Sequence, residues 1–115
     1  MSETNLNITT ETFKRAVLVK ASGRIDSSNA AQFDTVLKDV LAEGHTNIVL
    51  NLADISYMSS AGLRAIVAAH RECTKKKGTL VLAVPSERVS EVFSLAGLDS
   101  IFTVYDDVTA AVGSF

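Results

Sequence analysis

Only one cysteine stands in the chain, Cys73, so no intrachain disulfide can form. It falls on an apolar helical stripe and reads as a small core residue rather than a reactive thiol. No apolar run approaches the length of a membrane span, and the first residues carry no basic-then-apolar leader. The expected location is therefore the cytoplasm, with no membrane insertion. Positive charge is not in excess either. Eleven Lys and Arg against 13 Asp and Glu leave a formal net charge of −2, which argues against a dedicated nucleic-acid surface. The densest basic run, Lys75-Lys76-Lys77, reads as the cationic last turn of a helix. The two histidines, His45 and His70, have no Cys or carboxylate neighbours at metal-ligand spacing, so neither a metal nor another cofactor is expected. His45 reads as exposed and His70 as structural. There is no Gly-x-x-x-x-Gly-Lys-Ser/Thr loop and no Gly-x-Ser-x-Gly elbow, and no serine has an assigned histidine partner for a triad. Catalysis is not expected. Linkers, low-complexity tracts and internal repeats are also missing.

What remains is an α/β domain, expected to span residues 1–115, with 47% apolar residues. That length can bury about two-thirds of the unfolded surface. Leu6 to Thr9 alternates and Ala16 to Ala21 is Val/Leu-rich, which predicts an N-terminal antiparallel hairpin. Gly23 to Ser28 reads as a turn-rich loop. Phe33, Val36, Leu37, Val40 and Leu41 form one apolar face of a first helix. Asn29 and Gln32 have capping-box spacing at its start, and Gly44 follows its end. Ile48-Val49-Leu50 lies in a strand from Asn47 to Leu52, buried on both faces. A second helix is expected from about Ser60 to Lys77, stopped by Gly78. Thr79 to Val84 is a strand closed by Pro85. Ser86 caps a third helix that ends before Gly97. Ile101 to Tyr105 is a last strand, and Asp106 caps a short final helix. The order ββαβαβαβ(α) implies right-handed crossovers and a mixed β-sheet. Ligands and chemistry gather at the carboxyl ends of such strands. The loops at those ends, Gly23 to Ser28 and Ala53 to Ser60, are therefore expected to be neighbours.

The Ala53–Ser60 loop is the best-defined candidate site. It leads from a buried strand into a helix mouth that carries Ser59 and Ser60. Unpaired backbone N–H groups and about half a positive charge sit at such a mouth, so a phosphoryl group attached there is stabilised. Nearby, Asp26 and Asp54 read as turn carboxylates, with an Asx bond for Asp54. Asn51 ends the central strand and could tie the two loops together. Tyr57 and Met58 read equally well as partner anchors or as loop packing.

Asp54-Ile55-Ser56-Tyr57-Met58-Ser59-Ser60-Ala61-Gly62-Leu63 resembles the phosphorylation loop of STAS domains, above all that of bacterial anti-sigma-factor antagonists. Gly23-Arg24-Ile25-Asp26, Asn47 to Leu52, Ser94-Leu95-Ala96-Gly97-Leu98 and Ile101-Phe102 resemble further segments of the same family, in order and at the right spacing. The resemblance implies a phosphoacceptor two residues before the glycine, Ser60, with Ser59 as second choice. It also implies a partner surface of Asp26, Asn51, Tyr57, Met58, Ser59, Ser60, Ala61, Gly62 and Arg64. The implied partners are an anti-sigma factor that is a serine kinase of GHKL type, and a metal-dependent phosphatase of PP2C type. The unphosphorylated antagonist would bind the anti-sigma factor and free the sigma factor, and phosphorylation would block binding. Two positions depart from the family pattern: Ser59, where many members have Asp, and Arg64, where many have a small residue. Arg64 lies one turn on from Ser60, within reach of its phosphate.

Two other readings compete. A receiver-like phosphoaspartate domain would use Asp54, but Lys20 to Gly23 and Leu80 to Val84 supply neither its acidic pair nor its late-strand lysine. The other keeps the fold but makes the chain an accessory subunit of a lipid-transport ATPase or part of another serine-kinase signalling assembly.

Overall fold

Ile48-Val49-Leu50 forms the centre of the sheet, because branched apolar residues suit a strand covered on both sides. The computed structural model describes residues 6–115. The first five residues, part of the stretch read as lacking a leader, lie outside the described residues. In chain order the elements are β1 (Leu6–Thr12), β2 (Val17–Ile25), α1 (Ala30–Ala42), β3 (Asn47–Met58), α2 (Ser60–Lys75), β4 (Thr79–Ala83), α3 (Glu87–Leu95), β5 (Val104–Tyr105) and α4 (Val108–Gly113). The sheet order is β1-β2-β3-β4-β5. β1 runs antiparallel to β2, and the remaining pairs are parallel.

Each β–α–β step moves one strand further in the same direction. Right-handed crossovers therefore place α1, α2 and α3 on one face. The core agrees: Phe33, Leu37, Ile66, Cys73, Val89 and Phe93 pack with Ile48, Leu50, Leu52, Leu80 and Leu82. Val49, Val81 and Ala83 point the other way and are covered by α4 through Ala111. Burying each large apolar side chain contributes about 1.5–3 kcal/mol.

The expected mixed sheet and element order are present, but several boundaries move. Gly23-Arg24-Ile25 is the end of β2 rather than a turn, and β3 runs on to Met58 rather than stopping at Leu52. Register shifts between Lys20 and Ser22, and between Gly23 and Arg24, each put one extra residue into β3. Its inward positions consequently step from Leu52 to Ile55 to Met58. Asn29 sits at the N-cap of α1, but its side chain makes no cap bond, so the Asn29/Gln32 capping box does not form. Lys75 ends α2, and the left-handed residue after it is Lys77 (φ 66°), not Gly78. Gly44 and Gly97 do take the left-handed position expected after α1 and α3. β4 ends at Ala83, because Val84 turns left-handed ahead of Pro85. β5 shrinks to Val104–Tyr105. Phe102 lies ahead of it, buried edge-on against Phe93 at 5.2 Å. Asp107, not Asp106, caps α4 by accepting the Thr109 N–H at 2.7 Å.

Candidate functional site

Two strand ends and one helix mouth build the site. Ile25 at the end of β2 pairs with Met58 at the end of β3. The next residue, Ser59, donates its N–H to the Ile25 carbonyl at 2.7 Å. Ser56 Oγ adds a bond to the Gly23 carbonyl at 3.2 Å. The two stretches expected to be neighbours are thus joined by hydrogen bonds, although both are largely strand.

Ser59 is the N-cap of α2. Its backbone is extended, and its Oγ accepts the Gly62 N–H at 3.1 Å. Ser60 is the first helical residue, and it is exposed. The two hydroxyls therefore differ. Ser59's is half-buried and committed to the helix, whereas Ser60's makes no hydrogen bond among the described residues and faces solvent. Ser59→Ala is expected to destabilise the fold by about 1 kcal/mol, the usual worth of such a cap. For a domain of this size that lowers the melting temperature by about 4 °C, which calorimetry checks.

Gly62 lies buried behind this mouth. A Cβ there would fall 2.5 Å from Ile25 Cγ2 and 2.8 Å from Met58 Sδ. The missing side chain is what lets the first turn of α2 settle on the strand ends. Gly62→Ala should cost about 1–2 kcal/mol by overpacking, part of it absorbed by the flexible Met58 thioether. Denaturant titration measures that loss.

Asp26 follows Ile25. Its Oδ1 accepts from the Ser28 hydroxyl at 2.6 Å and the Ser28 N–H at 2.9 Å, while its own N–H goes to Asn29 Oδ1 at 2.8 Å. Asn29 Nδ2 bonds the Arg24 carbonyl at 2.9 Å, so Asn29 holds this turn together instead of capping by side chain. The Ser28 hydroxyl above all, then the Ser28 N–H, holds the Asp26 carboxyl below the usual aspartate range. A fixed negative charge therefore stands next to the helix mouth. Arg24, opposite Tyr57 in the register, lays its guanidinium 4.6 Å from the Tyr57 ring centroid. That contact keeps the 37%-exposed ring against the sheet end.

The structure divides the expected site residues. Ser59, Ser60, Asp26, Tyr57, Ala61, Gly62 and Arg64 gather at one end of the sheet. Met58 is adjacent but only 4% exposed, so it packs beneath Gly62 and Tyr57 alone of that pair offers a surface. Asn51 lies in mid-strand, buried, with its Oδ1 on the Ala53 N–H at 3.1 Å. It ties neither loop to the other. Asp54 is a strand residue without an Asx bond, and it faces Lys20 at 3.5 Å. Both side chains of that pair are about half exposed, so it contributes little.

Ser86 does more than sequence reasoning assigned to it. Besides capping α3 through the Val89 N–H at 3.2 Å, its hydroxyl donates to the Ile55 carbonyl at 2.7 Å, pinning the bulged half of β3. Cys73 is buried, and burial pushes its thiol up to about 11, which removes it as a nucleophile. His70 packs on Phe102 at 4.7 Å, and burial lowers its pKa. His45 is half-buried rather than exposed. No cluster of three or more potential metal ligands occurs among the described residues. No helix of the described residues is long and apolar enough to cross a membrane.

The sequence and the fold resemble those of known proteins. The STAS domain family model matches residues 7–111. The chain is 31% identical over 110 residues to BtrV of Bordetella bronchiseptica, covering 96% of this chain and 95% of that protein. It is 32% identical over 100 residues to the anti-sigma-B factor antagonist of Staphylococcus epidermidis, covering 87% and 93%. The fold is shared with the crystal structure of an anti-sigma factor antagonist from Mycobacterium paratuberculosis (TM-score 0.85, 22% identity, 95% of this chain and 92% of that one). It is shared too with the anti-sigma factor antagonist SpoIIAA in its unphosphorylated form (TM-score 0.78, 24% identity, 90% and 92%). The phosphorylated form of Bacillus SpoIIAA also matches (TM-score 0.75, 22% identity, 95% and 100%). From β1 to α4, with the paired ends of β2 and β3 and the capped mouth of α2 between, the chain belongs to the STAS domain family.

Proposed function

We propose that this protein is an anti-sigma-factor antagonist controlled by phosphorylation of Ser60. Unmodified, it binds an anti-sigma factor that is also a GHKL-type serine kinase, and the sigma factor is released. In the reaction, Ser60 Oγ attacks the γ-phosphorus of kinase-bound ATP, ADP leaves, and the hydroxyl proton passes to a base on the kinase. A PP2C-type phosphatase hydrolyses the phosphoserine and restores binding. The chain itself acts as a regulator without catalysis, in the cytoplasm.

The observation that carries this reading is the division of labour between adjacent serines. Ser59 closes the helix, so Ser60 is left exposed at a mouth whose N–H groups and dipole favour added negative charge. The fold's likeness to SpoIIAA in both its unphosphorylated and phosphorylated forms supports a modification that the architecture absorbs. The name of the Staphylococcus epidermidis relative supports the regulatory role. No histidine or carboxylate bonds Ser60 among the described residues, as an internally activated nucleophile would require.

Mass spectrometry of the protein purified from its native cells, together with whatever it carries along, tests the proposal. Phosphate on Ser60 and recovery of a GHKL-type kinase are expected. Phosphate confined to Ser59, or recovery of lipid-transport ATPase subunits in place of a kinase, would overturn it.

A further inference from the structure

β1 is one edge of the sheet, and no described strand pairs with its outer side. Its register with β2 is unbroken from Leu6 opposite Gly23 to Thr12 opposite Val17. The Phe13 N–H bonds the Ala16 carbonyl at 2.8 Å and closes the hairpin. Bonded and non-bonded pairs alternate along an antiparallel ladder. Odd-numbered residues of β1 therefore bond β2, and Ile8, Thr10 and Thr12 turn their N–H and C=O groups outward. Natural edges are blunted by Lys, Pro, bulges or shortness. β1 has seven residues, is rich in Thr and Ile, holds neither Lys nor Pro, and carries no bulge. Side chains of its even-numbered residues face α1. Past buried Leu6, Ile8 and Thr10 border an open trough of about 260 Å³, whose other wall is Val36, Asp39, Val40 and Glu43. Ile8 and Val36 are half-buried there, while Asp39 and Glu43 are exposed. Asp39 forms no salt bridge among the described residues, and Glu43 meets only His45, at 3.8 Å. The nearby cations are engaged or elsewhere. Lys38 pairs with Asp34 and Lys20 with Asp54, while Lys14 and Arg15 line a separate cleft beyond Thr12.

We infer that the edge of β1 takes up an extended segment of a partner protein as a further strand, with an apolar side chain and a Lys or Arg on its α1 side. Main-chain bonds to Ile8, Thr10 and Thr12 supply the grip, and the trough supplies the selection. Side chains two apart on a strand share a face and stand about 6.6 Å apart along it. Asp39 lies three residues beyond Val36, about 4.5 Å along the helix. An apolar side chain set against Ile8 and Val36 therefore brings the next one on that face level with Asp39, within reach for a long cationic stem. A second copy of the chain does not suit this edge. β1 has no cation of its own, and pairing it with itself brings Glu11, Asp39 and Glu43 of both copies to one seam. The edge is also separate from the mouth of α2, so capture of the segment does not depend on the state of Ser60.

The test uses isotope-labelled full-length protein and a capped octapeptide in which Thr alternates with Val, Lys, Lys and Val. Amide hydrogen exchange, read by NMR, should slow at Ile8, Thr10 and Thr12. It should stay unchanged at Thr9 and Glu11, whose N–H groups already bond β2. Replacing both peptide lysines by Glu should weaken binding by about tenfold, and the double variant Asp39→Lys with Glu43→Lys should reverse that preference. Thr10→Pro removes one outward N–H and no ladder bond, a place where an edge strand tolerates Pro. It should abolish binding while the NMR spectrum stays that of a folded domain. Ser60→Asp should bind the peptide as wild type does, so this result and the fate of the phosphorylation reading are read separately. Absence of binding, or equal affinity for the Lys and Glu peptides in both wild type and the double variant, would overturn the inference. Slowed exchange at the same three amides in concentrated protein without peptide would overturn it too, since it marks a second copy on the edge.

Discussion

Ser60→Asp should weaken binding to the cognate serine kinase by at least about a hundredfold, a loss of about 2.7 kcal/mol. Ser60→Ala should bind as tightly as wild type and stay bound when ATP is present. The argument is electrostatic. With Tyr57, Ala61 and the mouth of α2 as the proposed docking surface, Asp26 already places one negative charge beside it. A second negative group at Ser60 would have to be desolvated beside the first, and burying an uncompensated charge costs several kcal/mol. The free protein suffers no such penalty, because the helix start is exposed and favours anions. Binding therefore collapses while folding does not. Calorimetric titration of the three proteins against the purified kinase, with a melting curve for each, separates the two effects. Equal affinity for Ser60→Asp and wild type would remove the mechanism.

Gly78→Ala should be strongly damaging to this fold, costing about 3 kcal/mol. A Cβ at Gly78 would fall on the carbonyl of Thr46. That carbonyl is already engaged, accepting the Thr79 N–H at 3.0 Å. The Asn47 side chain accepts the same N–H at 3.1 Å. Backbone cannot swing aside as a side chain can, so β3 and β4 would have to part where their pairing starts, at Asn47 and Thr79. The neighbouring position responds in the opposite sense. Lys77 is exposed and left-handed with φ 66°, a conformation that costs a residue with a Cβ about 1–2 kcal/mol. Lys77→Gly should therefore stabilise by somewhat under about 1 kcal/mol, after the larger chain entropy of glycine is subtracted. Urea denaturation of both variants gives the two signs directly. A stable Gly78→Ala protein would show that the strands can separate there without loss.

This pair of residues also shows where sequence reading stopped. A glycine after an amphipathic run signals a helix end, and α2 does end there. The reason for the glycine is space rather than a left-handed turn, and only the approach of Thr46 reveals it. The same holds for β3. The branched apolar run Ile48-Val49-Leu50 identifies Asn47 to Leu52 as a strand covered on both faces. Beyond Leu52 the inward residues fall at Ile55 and Met58, a spacing set by bulges against β2, and one strand read alone looks like a loop. For that reason Asn51 looks like a strand end in the sequence, while it lies in mid-strand. The candidate site was legible in its chemistry, since two serines before a glycine mark a helix mouth. Which serine caps and which is exposed depends on the Ile25 carbonyl holding the Ser59 N–H, a contact across residues far apart in the chain. Arg24 over Tyr57 has no signal in the sequence for the same cause: the pairing belongs to the β2–β3 register, not to either segment.

The account is tested most directly by the affinity of the cognate kinase for protein carrying authentic phosphoserine at position 60, measured beside the unmodified protein, with backbone amide NMR spectra of both free forms. The expected result is a loss of affinity of about a hundredfold or more, with amide shifts confined to the start of α2, Asp26 and Tyr57. Undiminished affinity, or shifts spread through the sheet that signal a refolded domain, would contradict it.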